Sequence, residues 1–457
     1  MKAYLKALSV QLLPSVHSIP YILLALIPVI FIYLVFRSKK WASSLVGMLV
    51  VLQAMTPITY YPIGGVKGLQ PVYLWWALTF LAVIFSRLQS GKALRFGKFF
   101  RPPLLFLFFI QALAWARTFT AGPEHLFYVE GFTKSTLFLG YFLNPIQILL
   151  TGWMVMVVTE EEQGMVVIKK ALMISAIIFG ALVTTIYLKT GAQAGGSEQL
   201  FTGRFAINDI MGEENNGIAA LCVFLFVACV RMKNHGSRLL NIVSIAAILS
   251  GILFTLSRMA WINTALITVL LLPKMKWSVR FAVVILFIGL YLHSHTVIVN
   301  RLSYGTEMRY ASTSEQLNNI TADRVTIWQA AWSKIEESPL FGYGIQTGVV
   351  MPGGLIADHP HNAYLRILLD MGVIGLMAVI IAYAFMIKIS LRKSGILFFS
   401  IISLFVMGFV CLEFHPHKQN CLIWIFYGMT LSEVASRARR FVPESKPANG
   451  VPCLRIK

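Results

Sequence analysis

A histidine-containing stretch near the end of the chain could transfer protons. It reads His359-Pro360-His361-Asn362 and stands at the start of an apolar run. The pKa of an unperturbed histidine side chain is about 6.5, so the residue type gains or loses a proton near neutral pH. A protonatable group where an apolar segment meets water is costly and by default marks a functional site. His361 is therefore the first candidate for proton transfer, whereas His359 is either a loop residue or a partner of His361.

Three arginines stand inside or at the ends of apolar runs, where unpaired charge is costly. Arg258 follows Ser257 in a short break between two apolar runs, and no carboxylate lies close to it in the sequence. A guanidinium group can bind phosphate through two parallel hydrogen bonds, so an arginine in this position is typical of a path for an anionic substrate. Arg117 and Arg366 have a second interpretation, in which their side chains extend to the membrane surface. The shortness of the break makes this interpretation weaker for Arg258.

The composition is that of a membrane protein. Hydrophobic residues make up 57% of the 457 residues and charged residues only 13%, compared with about 25% charged residues in soluble domains. Apolar runs that could cross a hydrocarbon core of about 30 Å recur along the chain and predict an all-α, polytopic bundle of about 12–13 spans. The predicted spans are residues 20–36, 41–59, 70–86, 103–120, 136–158, 170–188, 216–230, 239–256, 259–273, 277–293, 362–387, 395–414 and 420–435.

The formal net charge of +20 reflects membrane topology rather than nucleic-acid binding. Lysine and arginine cluster on alternate connections between the predicted spans, and the positive-inside rule places such connections in the cytoplasm. The opposite connections then face outward, and the C-terminus lies inside. The outward connections are residues 121–135, 189–215, 295–361 and 415–419. We therefore expect membrane lipid as a partner and no nucleic acid.

The cysteines and residues 1–17 predict neither a metal site, nor a disulfide framework, nor a removable signal peptide. The five cysteines lack metal-ligand spacing and do not pair across an outward connection, so neither a metal site nor a disulfide framework is predicted. Residues 1–17 lack the apolar segment and small-residue cleavage site of a removable signal peptide. The predicted division is into transmembrane helices at 1–294, a large outward loop at 295–361, further transmembrane helices at 362–436 and a basic cytoplasmic tail at 437–457.

The longest outward loop is long enough to have structure of its own. Asp323 is a suitable N-cap for a helix that runs to Glu337, after which Pro339 ends it. An apolar stripe along this helix favours packing on the bilayer surface or against other spans. The stripe consists of Trp328, Ala331, Trp332 and Ile335. Gly342-Tyr343-Gly344 is then predicted to be a flexible turn, so that the loop forms a lid leading to the histidines.

With these residues the sequence resembles the O-antigen ligase and polymerase superfamily of bacterial cell-envelope glycan enzymes, over much of the C-terminal two thirds. In the ligase branch a His-Asn pair is followed by nine arbitrary residues and two glycines three apart, as are His361-Asn362, Gly372 and Gly375 here. The acidic residues in the segment 209–214 have no counterpart in the family pattern. The other matching positions are Gly203-Arg204 before a span, Ser257-Arg258, Asp323-Arg324 and the run from Pro339 to Gly344.

The resemblance implies a reaction and roles for individual residues. Members transfer a glycan from an undecaprenyl-diphosphate carrier to an acceptor hydroxyl on the outer face of the bacterial inner membrane. By similarity, Arg204 and Arg258 would hold the diphosphate and stabilise charge on the leaving group. His361 would act as general base on the acceptor hydroxyl, and Asn362 would orient either His361 or a sugar. Direct attack implies inversion at the anomeric carbon. No nucleotide or other cofactor is expected because the diphosphate is already activated, and no metal is expected because the sequence has no cluster of metal ligands.

Two residues keep a structural interpretation beside the functional one. Arg324 either makes a third contact with the diphosphate or forms an ion pair of negligible stabilising effect with Asp323, Glu336 or Glu337. His361 could instead cap the helix that follows it.

The resemblance favours an O-antigen ligase that acts on lipid A core. A repeat-unit polymerase is the alternative, in which a second lipid-linked glycan is the acceptor. A function of another class is a transporter of a lipid-linked anionic substrate, with arginines along the path and a histidine as proton relay. Against a transporter, the hydropathy shows no internal repeat, and polar residues gather in the outward loops rather than in the middle of spans.

Overall fold

The computed structural model describes residues 41–55, 71–120, 142–191, 215–232, 238–274, 324–345, 347–351, 359–391, 395–409 and 416–440, with isolated positions between them. Within these residues the chain forms thirteen α-helices and an antiparallel pair of two-residue strands. The helices are α1 (Trp41–Ala54), α2 (Pro71–Gln89), α3 (Phe96–Phe99), α4 (Pro102–Thr120), α5 (Asn144–Thr159), α6 (Glu162–Gly191), α7 (Asn215–Arg231), α8 (Arg238–Phe254), α9 (Arg258–Leu271), α10 (Arg324–Glu337), α11 (Ala363–Leu391), α12 (Gly395–Gly408) and α13 (Cys421–Arg440). The strands are β1 (Val349–Val350) and β2 (Ile356–Ala357).

This arrangement is an all-α polytopic membrane protein, as the sequence predicts. By length and composition, α2, α4, α6 and α11 each contain an apolar stretch that can cross a membrane, and seven shorter apolar helices accompany them in the described part of the chain. Of the predicted spans, 20–36 lies outside the described residues, and of 277–293 only eight separate positions are described, all of them helical. Each of the others coincides with a helix.

Two helix ends differ from the predicted spans. For the span predicted at 136–158, the structure describes α5 from Asn144, with Pro145 in its first turn, where proline is favoured; most of residues 136–141 lie outside the described residues. The helix predicted at 170–188 starts earlier, at Glu162, because a helix continues through polar residues that an apolar pattern excludes. The span predicted to end at residue 414 ends at Gly408, where the ring of Phe414 packs against the glycine.

Ion pairs and hydrogen bonds join like ends of neighbouring spans. At one end of the bundle, called the lower end below, Arg87 near the end of α2 pairs with Glu160 just after α5. At the opposite, upper end, Tyr73 at the start of α2 donates a hydrogen bond to Asn144 at the start of α5. The upper end carries the connections that the positive-inside rule predicts to face outward.

The starts of α7, α9 and α13 also lie at the upper end. The thiol of Cys421, the first residue of α13, contacts the carbonyl oxygen of Gln53 at the end of α1. Gln419 packs against Gly217 in the first turn of α7. Ser257, just before α9, donates a hydrogen bond of 2.8 Å to Asn216. The first turns of these helices therefore surround one polar region.

Helices α7 and α13 form the centre of the bundle. Every residue from Ile218 to Cys229 and from Cys421 to Tyr427 is at most 1% exposed. Around them, α2, α4 and α8 expose large apolar side chains such as Leu81, Phe109 and Ile242. Apolar side chains on the perimeter are what a bundle in lipid requires, since lipid is the solvent on that side.

Helix α10 confirms the helix predicted in the long outward loop and its end at Glu337. It packs against the first turns of α11, where Ala331 and Ile335 contact Leu369 and its neighbours. Trp332 is 52% exposed, so its assignment to the buried stripe is wrong, and Ile327 is buried in its place. The two stripes run side by side with the same four-residue spacing, and only the position of α11 decides between them.

Candidate functional site

Two hydrogen bonds hold the backbone around His361. Its N–H donates to Nδ1 of His359 over 2.7 Å, and Trp328 on α10 donates through Nε1 to the carbonyl oxygen of Pro360 over 2.8 Å. His361 has a φ of 50°, in the left-handed region where Asn, Asp and His are enriched among residues other than glycine. Both histidine side chains are half-buried, with ring centroids 5.4 Å apart. This geometry favours the interpretation of His359 as a partner of His361.

Asn362 is the N-cap of α11. Its Oδ1 accepts hydrogen bonds from the N–H groups of Tyr364 (2.9 Å) and Leu365 (3.2 Å), which have no partner within the helix. The residue is 8% exposed. The capping position is therefore taken by Asn362 rather than by His361, and the alternative in which His361 caps the helix is wrong.

Helix α11 is broken at Gly372, and the segment 339–344 of the long loop fills the break. Gly372 has φ 64° and ψ −165°, which interrupts the helical ladder. Two N–H groups of the segment donate to carbonyl groups before the break, and two N–H groups after the break donate to carbonyl groups of the segment. The pairs are Tyr343 to Leu369 (2.7 Å), Gly344 to Asp370 (2.9 Å), Val373 to Pro339 (2.8 Å) and Ile374 to Leu340 (3.3 Å). Four backbone hydrogen bonds thus join the segment 339–344 to α11.

Glycines are required on both sides of this contact. A Cβ at Gly372 would lie 2.3 Å from the backbone of Leu340, and a Cβ at Gly342 would lie 2.5 Å from the carbonyl oxygen of Leu369. Both glycines also have positive φ, which disfavours other residues. The expectation of a flexible turn at Gly342-Tyr343-Gly344 is wrong, because this backbone is fixed by its hydrogen bonds to α11.

A buried ion pair binds the next part of the loop to α11. Arg366 Nε donates to Asp370 Oδ2 over 2.9 Å, and their side chains are 2% and 4% exposed. Arg366 Nη1 also donates to the carbonyl oxygen of Thr347 over 3.1 Å. The interpretation in which Arg366 extends to the membrane surface is wrong, since its charge is neutralised inside the protein. Removing one member of such a pair typically costs about 3–5 kcal/mol.

Arg258 stands at the upper end of α9. Ser257 is the N-cap of this helix, and its Oγ accepts from the N–H of Ala260 while it donates to Asn216. Leu256, with a φ of 54°, closes the turn from α8. Arg258 is half-buried in the first turn of α9. Its position at the end of a span, beside other polar groups, is the one expected of an arginine that binds an anionic headgroup.

The helices that start at Arg258 and just after His361 both donate hydrogen bonds to the last two turns of α12. Asn263 on α9 donates to the carbonyl oxygen of Ser403, and Tyr364 on α11 donates through its hydroxyl to that of Phe405. Asn263 lies five residues below Arg258, a distance of about 7.5 Å along a helix, so Arg258 is level with the end of α12. The two candidate turns therefore flank the same helix end.

Arg324 is the first residue of α10 and is half-buried. Trp328, which holds the carbonyl group of Pro360, lies one helical turn further on the same face. Glu336 and Glu337 lie at the other end of α10, about 18 Å away along a helix axis. The ion pairs of Arg324 with these two residues are thus wrong, whereas Asp323 lies outside the described residues.

Other predicted positions give less information. Arg204 and the acidic residues of the segment 209–214 lie outside the described residues. Arg117 is exposed at the upper end of α4, as its membrane-surface interpretation predicts, and borders a cavity of about 180 Å³ with Phe341, Met371 and Ile374. Nearby, burial and a hydrogen bond to Glu337 raise the pKa of the Tyr343 hydroxyl to about 12.

Part of the chain is similar to a known protein family. Residues 243–380 match the family described as O-antigen ligase. This stretch contains Arg258, Arg324, His361 and the break at Gly372, and the match confirms the resemblance drawn from these residues.

The chain is also similar to a curated glycan-transferring protein. It is the ComP-specific O-oligosaccharyltransferase of Acinetobacter baylyi (strain ATCC 33305 / BD413 / ADP1), and the identity is 28% over 230 residues. The match covers 45% of this chain and 40% of the relative, so the chain spans about two fifths of the relative's length.

The sequence did not predict the contacts of three residues within 243–380. Asp370 lies four residues after Arg366, and this spacing on a helix is an available signal for an ion pair. Trp328 was assigned to the apolar stripe, because its indole hydrogen bond to Pro360 depends on the folded loop. Thr347 contributes only its backbone carbonyl group to Arg366, so its side chain carries no signal of this contact.

The hydrogen bond from His361 to His359 predicts a graded effect of substitution. His359→Ala should lower transfer by about fivefold, since a neutral hydrogen bond contributes about 1 kcal/mol. His359→Asn should keep most of the rate, because its Oδ1 can accept the same N–H. Initial transfer rates of the two variants test this, and an alanine variant as fast as the unchanged protein would contradict it.

Proposed function

We propose that this protein transfers a glycan from an undecaprenyl-diphosphate carrier to an acceptor hydroxyl at the upper end of the bundle, on the periplasmic side of the bacterial inner membrane. The match to the O-antigen ligase family supports the reaction class. The alternation of basic connections supports the orientation. Lipid A core is the acceptor proposed first.

One observation carries the proposal. A histidine with a fixed backbone and an arginine at a helix start flank the upper end of α12. A donor whose diphosphate lies at the membrane surface presents its charge to Arg258 and its first sugar outside the lipid. An acceptor hydroxyl beside His361 can then approach that sugar. The arrangement combines a group that holds the leaving diphosphate with a group that removes a proton.

The reaction needs one displacement at the anomeric carbon. As the acceptor oxygen attacks, the bond from the anomeric carbon to the phosphate oxygen breaks, and the carrier leaves with its diphosphate. The acceptor proton passes to His361, and the charge that builds on the diphosphate is stabilised by Arg258 and Arg204. Because the acceptor attacks from the side opposite to the leaving group, we propose inversion.

The remaining predicted residues have supporting roles in this proposal. The Oδ1 of Asn362 caps α11, so we propose that its Nδ2 group contacts a sugar. Arg324, one turn from the residue that holds Pro360, is proposed as a third contact with the diphosphate. The loop that contains it acts as the lid over the donor.

A second acceptor class has its own support. The Acinetobacter baylyi relative is named for specificity toward ComP. A serine or threonine hydroxyl on a protein is therefore the second candidate acceptor for this chain. A second lipid-linked glycan, as in a polymerase, is the third.

Incubation of the protein in lipid with an undecaprenyl-diphosphate-linked oligosaccharide tests the proposal. Parallel reactions contain lipid A core, a protein with exposed serine and threonine hydroxyl groups or no added acceptor, and the products are resolved by size. A glycan shift on lipid A core alone supports the ligase, a shift on the protein supports the second candidate, and a ladder without added acceptor supports the polymerase. If none of these reactions forms a glycosidic bond, the proposed transfer is wrong and the transporter becomes the better hypothesis.

Arg258→Lys should weaken transfer although the charge is preserved. Lysine cannot form two parallel hydrogen bonds with a phosphate group, and the loss of a charge-assisted hydrogen bond predicts a decrease of about tenfold or more. The measurement is the transfer rate as a function of donor concentration. Arg238→Lys, at an exposed position in the first turn of α8 at the lower end, is the matched control. Equal rates for the two variants would mean that Arg258 does not bind the donor.

A further inference from the structure

The turn that precedes Arg258 is conformationally strained. It joins α8 to α9 through residues 255–257 and contains no glycine. Leu256 in its middle nevertheless has a φ of 54°, in the left-handed region that disfavours a bulky side chain, and the residue is fully buried. Strain of this kind persists only where surrounding contacts determine the backbone, and it is concentrated at functional sites. The contacts of this turn therefore indicate what fixes the position of Arg258.

Ser257 holds the turn from within. Its Oγ accepts a hydrogen bond from the N–H of Ala260 over 3.4 Å and so caps α9, and its own N–H lies 3.5 Å from the hydroxyl oxygen of Thr255. A hydroxyl group has a single proton, and the capping bond uses only a lone pair of the oxygen. Because Ser257 is only 4% exposed, the hydroxyl proton needs an acceptor inside the protein.

Asn216 on α7 supplies that acceptor. Ser257 donates to Oδ1 of Asn216 over 2.8 Å, and Asn216 is 7% exposed. The amide oxygen can only accept a hydrogen bond, so it directs the hydroxyl proton toward α7 and leaves a lone pair for the start of α9. Loss of either partner would leave a buried polar group without its hydrogen bond, which is costly. Asn216 thus fixes both the capping group and the turn.

Helix α7 is a firm support for this hydrogen bond, because its neighbours pack closely against it. A Cβ at Gly217, next to Asn216, would lie 2.6 Å from Nε2 of Gln419. Deeper in the bundle, a Cβ at Gly251 of α8 would lie 3.6 Å from Sγ of Cys222 on α7. Elements that are packed at this density do not shift independently. The position of Asn216 is therefore set by the core of the bundle.

We propose that Asn216 is a positioning residue for donor binding, which acts through Ser257 on Arg258. The hydrogen bond between Asn216 and Ser257 holds the first turn of α9 in one orientation, so that the guanidinium group is in place before the diphosphate arrives. A group that is already in place loses less conformational entropy when the donor binds. Without this bond the turn has more orientations, and the donor binds more weakly. The inference rests on the proposed function, in which Arg258 holds the diphosphate.

Binding of undecaprenyl diphosphate to the full-length protein in lipid tests the proposal. Asn216→Leu removes the acceptor and keeps the branching of the side chain, whereas Ser257→Ala removes the donor together with the cap. We expect the affinity to fall about fivefold for Asn216→Leu, as the loss of one hydrogen bond predicts, and further for Ser257→Ala. In the transfer reaction, the KM for the donor should rise by a similar factor, while the KM for the acceptor stays the same. Unchanged affinity in Asn216→Leu would overturn the proposal.

Ser244→Ala is the matched control for Ser257→Ala. Ser244 on α8 is fully buried, and its hydroxyl group donates to the carbonyl oxygen of Met173 on α6 over 3.2 Å. It lies eleven residues before the strained turn, about 16 Å along a helix. This variant should lower the thermal unfolding midpoint without changing the affinity for undecaprenyl diphosphate. If Ser244→Ala and Ser257→Ala weaken binding equally, the effect is a general loss of packing and the proposal is wrong.

Combination with Arg258→Lys separates the positioning role from an effect of its own. In a protein that already carries Arg258→Lys, Asn216→Leu should weaken binding by less than about twofold further, because the group that the bond positions is absent. A full fivefold decrease in that background would contradict the proposal. If Arg258→Lys alone binds as tightly as the unchanged protein, the role of Arg258 in the proposed function is wrong, and the role of Asn216 is wrong with it. A decrease for Arg258→Lys without one for Asn216→Leu would overturn only the role of Asn216.

Discussion

His361→Asn is expected to reduce glycan transfer by at least about 100-fold, the lower limit for the loss of a general base. Asparagine suits this position because, like histidine, it tolerates the left-handed backbone at φ 50°. The variant therefore removes the base and keeps the turn. His361→Ala should lose transfer to the same extent. The measurement is the initial rate with saturating donor and acceptor.

The thermal unfolding midpoint in detergent provides the control for this experiment. An unchanged midpoint for His361→Asn, together with lost transfer, assigns the effect to chemistry. His359→Asn, two residues away, should retain most of the rate. Turnover of His361→Asn within about tenfold of the unchanged protein would remove the general-base role, since a base contributes more than this.

Gly372→Ala is expected to lower both stability and transfer. The new Cβ would lie 2.3 Å from the backbone of Leu340, at a φ of 64°. A φ of 64° with a ψ of −165° lies in a backbone region that essentially only glycine adopts, which costs alanine about 1–3 kcal/mol, and a forced backbone shift adds about 1–3 kcal/mol more. The clash pushes the segment 339–344 out of the break, so that the lid loses its attachment to α11. The unfolding midpoint and the transfer rate should fall together.

Gly91→Ala separates the two contributions. Gly91 has the same φ of 64°, but a Cβ there would meet nothing within 4 Å. This variant should show the cost of a positive φ without a clash, with full transfer activity. If Gly372→Ala and Gly91→Ala lower the midpoint equally, the packing of the loop against Gly372 does not stabilise the protein.

The helices could be predicted because lipid leaves few alternatives. Each apolar run must satisfy its own backbone hydrogen bonds, so a run of sufficient length forms a helix. Prediction failed where an end depends on a distant residue, as at Gly408, which the ring of Phe414 contacts. It also failed within α11, because Ala363 to Leu391 is one apolar run and a single glycine does not require a break.

The candidate site could be predicted in part for a similar reason. His361 and Arg258 were visible because charged or protonatable groups are rare beside apolar runs. The bonds that fix them were not visible, since the indole of Trp328 and the ring of His359 act through backbone atoms of the turn. A hydrogen bond to a backbone atom cannot be recognised from the types of the side chains. The exception is the pair of Arg366 and Asp370, whose four-residue spacing could have revealed it.

The break in α11 also sets the height of the site above the bilayer. The part of α11 after the break, from Val373 to Leu391, is about 28 Å long at 1.5 Å per residue, which matches a hydrocarbon thickness of about 30 Å. Gly372 then lies at the hydrocarbon boundary, and the turns from Ala363 to Met371 extend beyond it. In the proposed reaction, an acceptor anchored in the membrane has to present its hydroxyl on a sugar or polypeptide that extends beyond the lipid. The proposed site would therefore select acceptors by their length as well as by their chemistry.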